Sequence, residues 1–192
     1  DEKWFIEKIE GAPILCSDDR LLIRSQKADK KSPSGIKAFS ITDGKELWSL
    51  SKMPDGQDLS ANSFQVGADG TIYVGTPNHI LAFKGTNPPD PEAPWPMVGY
   101  NARNTRAGGS GQNPTPKDKA LQKEIKIFGE VKWTYQSEGI GFGRSIAIDD
   151  EGVYLGSSPL QKLDKKTGKL IWKTEKKFRA TSSPTLTDDY VY

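Results

Sequence analysis

The chain has 192 residues, with 27 Lys and Arg against 25 Asp and Glu and a net charge of +2. So even a balance excludes the strong field that draws a protein to nucleic acid or to a membrane surface. With 34% hydrophobic residues, no stretch is long and apolar enough for a bilayer-spanning helix, and the single cysteine, Cys16, excludes an internal disulfide and reads as a small buried residue.

Short runs of strand formers, bounded by Gly, Asp, Ser and Pro, are expected near residues 11–17, 20–26, 35–41 and 45–50, with no helical pattern between them. Asp18 marks the first turn, and Leu21 and Leu22 follow it. The same phrase returns as Asp69 with Ile72 and Tyr73, as Asp150 with Val153 and Tyr154, and as Asp188 with Val191 and Tyr192. These aspartates stand 51, 81 and 38 residues apart, which gives a unit near forty residues with one large excess. That period suits a four-stranded propeller blade. Units of this kind cannot bury an apolar face alone, so function belongs to the array.

A second shared element fixes the register. Residues 36–48 lie over residues 160–172 without a gap, and a Gly-Lys-x-x-Trp phrase recurs as Gly44 with Trp48 and Gly168 with Trp172. Asp164 can bond the backbone two or three residues on, while Gly44 and Gly168 can supply the positive φ of a tight turn. In the second unit, residues 80–83 read as a third strand whose fourth partner, carrying Trp133, follows only after residues 86–130. That interval opens with five prolines in residues 87–96, each lacking a ladder donor. It reads either as a seam or crossing loop or as a long insertion in one blade, with room for a helical turn or two in residues 117–128. Strands are expected again at 143–149, 152–157, 159–164 and 169–174. The division expected is therefore blades in 1–85, the Pro- and Gly-rich interval 86–130, and blades in 131–192.

These residues resemble the quinoprotein-like (PQQ-type) β-propeller repeats, whose units carry Ala-x-Asp-x-x-Thr-Gly-x-x-x-Trp. The third copy matches through Asp164, Thr167, Gly168 and Trp172, with Lys162 where the family prefers alanine; the first keeps Ala38, Gly44 and Trp48 and departs at Ser40 and Asp43. The resemblance implies an all-β fold of antiparallel four-stranded blades, about three and a half of them, in a ring of seven or eight. By the same token Trp48, Trp133 and Trp172 should dock flat on neighbouring blades, and Trp4 would be the equivalent of a preceding unit. Three and a half blades cannot close such a ring. The expectation is a piece of a longer chain or, less favoured, a half-ring completed by a second copy. The family points to the bacterial periplasm or cell envelope.

Catalytic patterns are sparse. His79 is the sole histidine and has no nucleophile at a recognisable spacing. The pairs Asp18-Asp19, Asp149-Asp150 and Asp188-Asp189 share one hairpin position, where Asp bonds the backbone, and are not expected to converge on one substrate. No calcium loop or zinc cluster is legible. Lysines 27, 30 and 31, and 162, 165, 166 and 169, read as a solvated rim or as charges that blunt an edge.

The favoured function is a non-catalytic scaffold that binds a protein or polysaccharide partner without a cofactor, as the family's outer-membrane-assembly lipoproteins do. The alternatives are part of a PQQ-dependent alcohol or sugar dehydrogenase, which would need PQQ and calcium, and a carbohydrate-binding propeller. Rim connections meet ligands in propellers, so Trp95, Tyr100, Asn101, Arg103 and Arg106 are the candidate contacts. Alanine at Trp95 should then weaken binding and leave thermal stability nearly unchanged.

Overall fold

The computed structural model describes residues 9–16, 19–25, 34–85, 130–137, 146–175 and 183–192. Trp4, Asp18, the lysines at 27, 30 and 31, and the stretch 86–129 with Trp95, Tyr100, Asn101, Arg103 and Arg106 lie outside the described residues.

Three four-stranded antiparallel sheets follow one another, each in simple chain order. The first holds β1 (Ile9–Cys16), β2 (Arg20–Ser25), β3 (Gly35–Ser40) and β4 (Glu46–Leu50). The second holds β5 (Ser63–Val66), β6 (Ile72–Gly75), β7 (His79–Phe83) and β8 (Val131–Gln136). The third holds β9 (Ile146–Ile148), β10 (Gly152–Leu155), β11 (Gln161–Asp164) and β12 (Leu170–Lys173). A bridge between Leu186 and Val191 opens a further hairpin.

Registers repeat from sheet to sheet. Leu22, Ala38 and Trp48 form a row across β2, β3 and β4; Tyr73, Ala82 and Trp133 form it in the second sheet; Tyr154, Lys162 and Trp172 form it in the third. In every sheet the third and fourth strands slip by one residue just beyond this row. The bulge leaves Leu47, Lys132 and Ile171 in equivalent places.

Strand alternation sends successive side chains to opposite faces, and the middle sheet uses both. Ile72, Val74, Leu81 and Phe83 join Ile14, Leu22, Ile36 and Ala38 of the first sheet in one core. Tyr73, Ile80, Ala82 and Trp133 join Ile146, Ile148, Val153, Leu155 and Leu163 of the third sheet in another. A third, smaller cluster sets Ala147 and Tyr154 against Leu186. This two-sided burial is why β6, β7 and β10 read as continuous apolar runs rather than as alternating ones. The fourth strands, at the perimeter, alternate or are exposed throughout.

β7 and β8 are hydrogen-bonded neighbours although 47 residues separate them in sequence, Phe83 to Val131 being paired. The ladder runs on to Lys84, whose N–H donates to the Glu130 carbonyl at 2.8 Å and whose Nζ lies 3.1 Å from the Glu130 carboxylate. The chain therefore leaves and returns between the third and fourth strands of a single sheet.

Some expected strands are shorter in the structure. β11 begins at Gln161 because Pro159 has no donor for a ladder and Ser157 turns its hydroxyl to the Pro159 carbonyl. β9 is described only as Ile146–Ile148.

Candidate functional site

The turn between the third and fourth strands is built alike in the first and third sheets. Gly44 N–H donates to the Ser40 carbonyl at 2.9 Å and Gly168 N–H to the Asp164 carbonyl at 2.8 Å, with φ of 70° and 71°. In the third sheet the Asp164 carboxylate accepts from the N–H groups of Lys166 and Thr167, at 3.1 and 2.7 Å, and from the Thr167 hydroxyl at 2.7 Å. Those donors hold its carboxyl below the usual range.

This turn receives a tryptophan from the preceding sheet. Trp133, 7% exposed, lies over Gly168 so closely that a Cβ there would stand 2.5 Å from its ring. The Trp133 indole N–H donates to the Lys165 carbonyl at 3.0 Å. Tyr73 packs on the same ring with centroids 5.8 Å apart.

Trp48 and Trp172 differ from it. Trp48 packs against the first inter-sheet core, but the turn that should face it is where the interval 86–129 departs, so no Asp-Thr-Gly turn meets it among the described residues. Trp172 does not dock on a neighbouring sheet among the described residues. It is 36% exposed and meets Tyr154 of its own sheet edge-on, at 6.1 Å. Lys162, in the row position that Ala38 and Ala82 hold elsewhere, carries its stem over Gly152 and its ammonium 5.1 Å from the Tyr154 ring centroid.

The aspartate turns also depart from their alignment. Between paired residues, the turn from Val66 to Ile72 spans five residues and that from Ile148 to Val153 spans four. The third sheet's turn is therefore closed by Asp149, not Asp150. Its carboxylate accepts from the N–H groups of Glu151 and Gly152 at 2.9 and 2.6 Å and from the Tyr154 hydroxyl at 2.7 Å. Asp150 is left facing outward. In the second sheet Asp69 takes the N–H and hydroxyl of Thr71, at 3.2 and 2.8 Å. Lys132 Nζ donates to that hydroxyl at 2.6 Å and lies 3.7 Å from the carboxylate. Burial pushes the Asp69 carboxyl up, but the Thr71 donors and the Lys165 and Lys132 charges outweigh it and hold it down.

Asp69 and Lys132 of the second sheet face Asp150, Lys165 and Lys166 of the third across a cleft of about 410 Å³. The Asp69 turn of the second sheet and the Asp150 turn of the third thus border one cleft. The sequence signal was present: an Asp turn in one unit and a Lys-Lys turn in the next occupy the same rim. His79 lies at the start of β7, away from this cleft, its N–H donating to the Thr76 hydroxyl at 3.0 Å. Among the described residues, no three His, Cys, Asp or Glu side chains are placed to hold a metal.

Three chain-ordered antiparallel sheets, stacked through two shared cores with their first strands adjacent at β5 and β9, define consecutive blades of a β-propeller. The chain is similar in structure to BamB from Moraxella catarrhalis, with a TM-score of 0.52 at 14% identity over 96% of this chain and 46% of that one. It is also similar to U3-55K, with a TM-score of 0.56 at 9% identity over 95% of this chain and 44% of that one. It spans less than half the length of either. No family model matches the sequence, and no curated protein matches it. Among the described residues, no helix is long and apolar enough to cross a membrane.

Proposed function

We propose that the chain is part of a non-catalytic binding scaffold, a propeller whose rim engages a protein or polysaccharide partner in the bacterial cell envelope. The observation that carries this reading is how the repeat motif is used. Trp133 is committed to Gly168 and the Lys165 carbonyl, and the Asp164 carboxylate is occupied by three donors of its own turn. The motif's tryptophan joins one blade to the next while its aspartate closes its own turn, and charges from two neighbouring blades line an inter-blade cleft. Such a surface suits recognition rather than bond-making. The envelope setting is supported by the resemblance to quinoprotein-like repeats and by the fold shared with the bacterial BamB.

Incubation with PQQ and calcium, followed by dye-linked assay of alcohol and sugar oxidation, tests the reading. Neither quinone binding nor dye reduction is expected. Tight binding with substrate-dependent reduction would replace the scaffold with a portion of a quinoprotein dehydrogenase.

A further inference from the structure

The cleft between the second and third blades is lined, among the described residues, by charged side chains alone. Asp69 and Lys132 form one wall, and Asp150, Lys165 and Lys166 form the other. Both walls belong to described blades, which Trp133 joins, so they do not depend on which further blades adjoin the array.

The charges of the two walls are differently engaged. Asp69 accepts from the amide and the hydroxyl of Thr71, and Lys132 Nζ donates to that hydroxyl and lies 3.7 Å from the carboxylate. The side chains of Asp150, Lys165 and Lys166 enter no hydrogen bond or ion pair among the described residues. Their backbone is nevertheless fixed. Lys165 N–H donates to the Glu151 carbonyl at 3.0 Å, which ties the lysine turn to the turn that carries Asp150. The Lys165 carbonyl accepts the Trp133 indole N–H at 3.0 Å, which ties the same turn to the second blade. Two ammonium groups and a carboxylate are thus presented from a braced frame around about 410 Å³, a volume within the range of ligand clefts.

Charge and polarity then select the ligand. Three lysines against two aspartates leave one positive charge, which favours an anion. A compact dianion such as phosphate would meet the lysines but also face both carboxylates. A peptide would bring apolar atoms to a cleft without an apolar side chain to cover them. The ligand that suits both signs carries one carboxylate for the lysines and hydroxyls that donate to the aspartate.

We propose that this cleft binds a hexuronate, as a free sugar acid or as one unit of an acidic polysaccharide. Its carboxylate lies between Lys165 and Lys166, its ring hydroxyls donate to Asp150, and the Asp69–Lys132 pair closes the far wall. The inference rests on the scaffold reading and names the chemistry of its ligand.

The probes are galacturonate and glucuronate, each as monomer and as trimer, titrated calorimetrically beside galacturonate methyl ester, triglutamate and inorganic phosphate. At least one uronate should bind saturably, and more weakly as salt rises. Tighter binding of the trimer marks a polysaccharide as the source, and equal affinity marks the free acid. The ester keeps the hydroxyls without the charge, triglutamate keeps the charge without the hydroxyls, and each should bind roughly tenfold more weakly or worse. Lys165→Gln with Lys166→Gln should abolish binding, and Lys166→Gln alone serves where the pair fails to fold. Asp150→Ala should weaken the uronate roughly tenfold yet tighten phosphate, a reversal that a damaged fold would not produce. Lys169→Gln, at an exposed lysine outside the cleft, should change nothing. Failure of both uronates to bind, equal binding of triglutamate or phosphate, unchanged affinity in Asp150→Ala, or an equal loss in Lys169→Gln would overturn the proposal. Quinone-dependent oxidation with uronate binding intact sinks only the scaffold reading; absence of both sinks only this one.

Discussion

At Gly168 two demands coincide. The backbone has φ of +71°, which L side chains rarely adopt, and the space where a Cβ would project is filled by the Trp133 ring. Gly168→Ala should therefore cost both the strain and the displacement of a packed indole, about 2–4 kcal/mol together. Gly56 provides the comparison, since its φ is +83° with nothing within 4 Å of the added atom. Gly56→Ala should cost only about 1 kcal/mol. Urea unfolding of both variants checks the difference, and equal losses would mean that the indole is not held by the turn. The aspartates add a pH dependence. For Asp149, burial pushes the carboxyl up, but the Tyr154 hydroxyl, the Gly152 and Glu151 amides and the Lys162 charge prevail and keep it low. A carboxyl lower in the folded than in the unfolded chain stabilises fully above its ordinary value of 3.8 and loses that contribution as pH falls through the folded value. Stability should hold from neutrality to about pH 5 and decline below pH 4, and Asp149→Asn should flatten that acid limb in melting curves taken across the range.

At the scale of the element, the fourth-strand tryptophans share a row but not an environment. Trp133 has a neighbouring turn, an aromatic partner and an acceptor for its N–H, whereas Trp172 keeps over a third of its surface in solvent. Trp133→Phe should cost about 2 kcal/mol, through the lost bond to Lys165 and the smaller ring. Trp172→Phe should cost less than about 1 kcal/mol. Comparable losses from the two in chemical denaturation would contradict the asymmetry. The blade and its turns were legible in the sequence because they are local: glycines at positive φ, an aspartate closing on its own backbone, and a tryptophan at fixed spacing all act within a dozen residues. What was not legible depends on a one-residue change in turn length, which moved closure from Asp150 to Asp149, or on juxtaposition across blades, which made the cleft.

At the scale of the whole molecule, the second blade is the keystone of the described array, because it alone gives one face to each of the two large cores. Adjacent residues of β7 make the point within one strand: Leu81 faces the first blade and Ile80 the third, and both are fully buried. In a stacked array, stability is the sum of what each unit holds alone and what it shares with its neighbours. A blade this thin buries little by itself, so the shared terms dominate and a defect in either core should be felt along the array. Leu81→Ala and Ile80→Ala should each cost about 2–5 kcal/mol. Each should also lower the midpoint of a single transition reported alike by tryptophan fluorescence, which samples all three blades, and by far-UV circular dichroism. Amide exchange followed by mass spectrometry should find β6 and β7 among the last strands to open, because their amides exchange only when both interfaces fail. If Ile80→Ala instead split the transition in two, with the first blade melting at its original midpoint, the blades would be independent units. The rim would then be no rigid surface on which an inter-blade cleft could hold its shape.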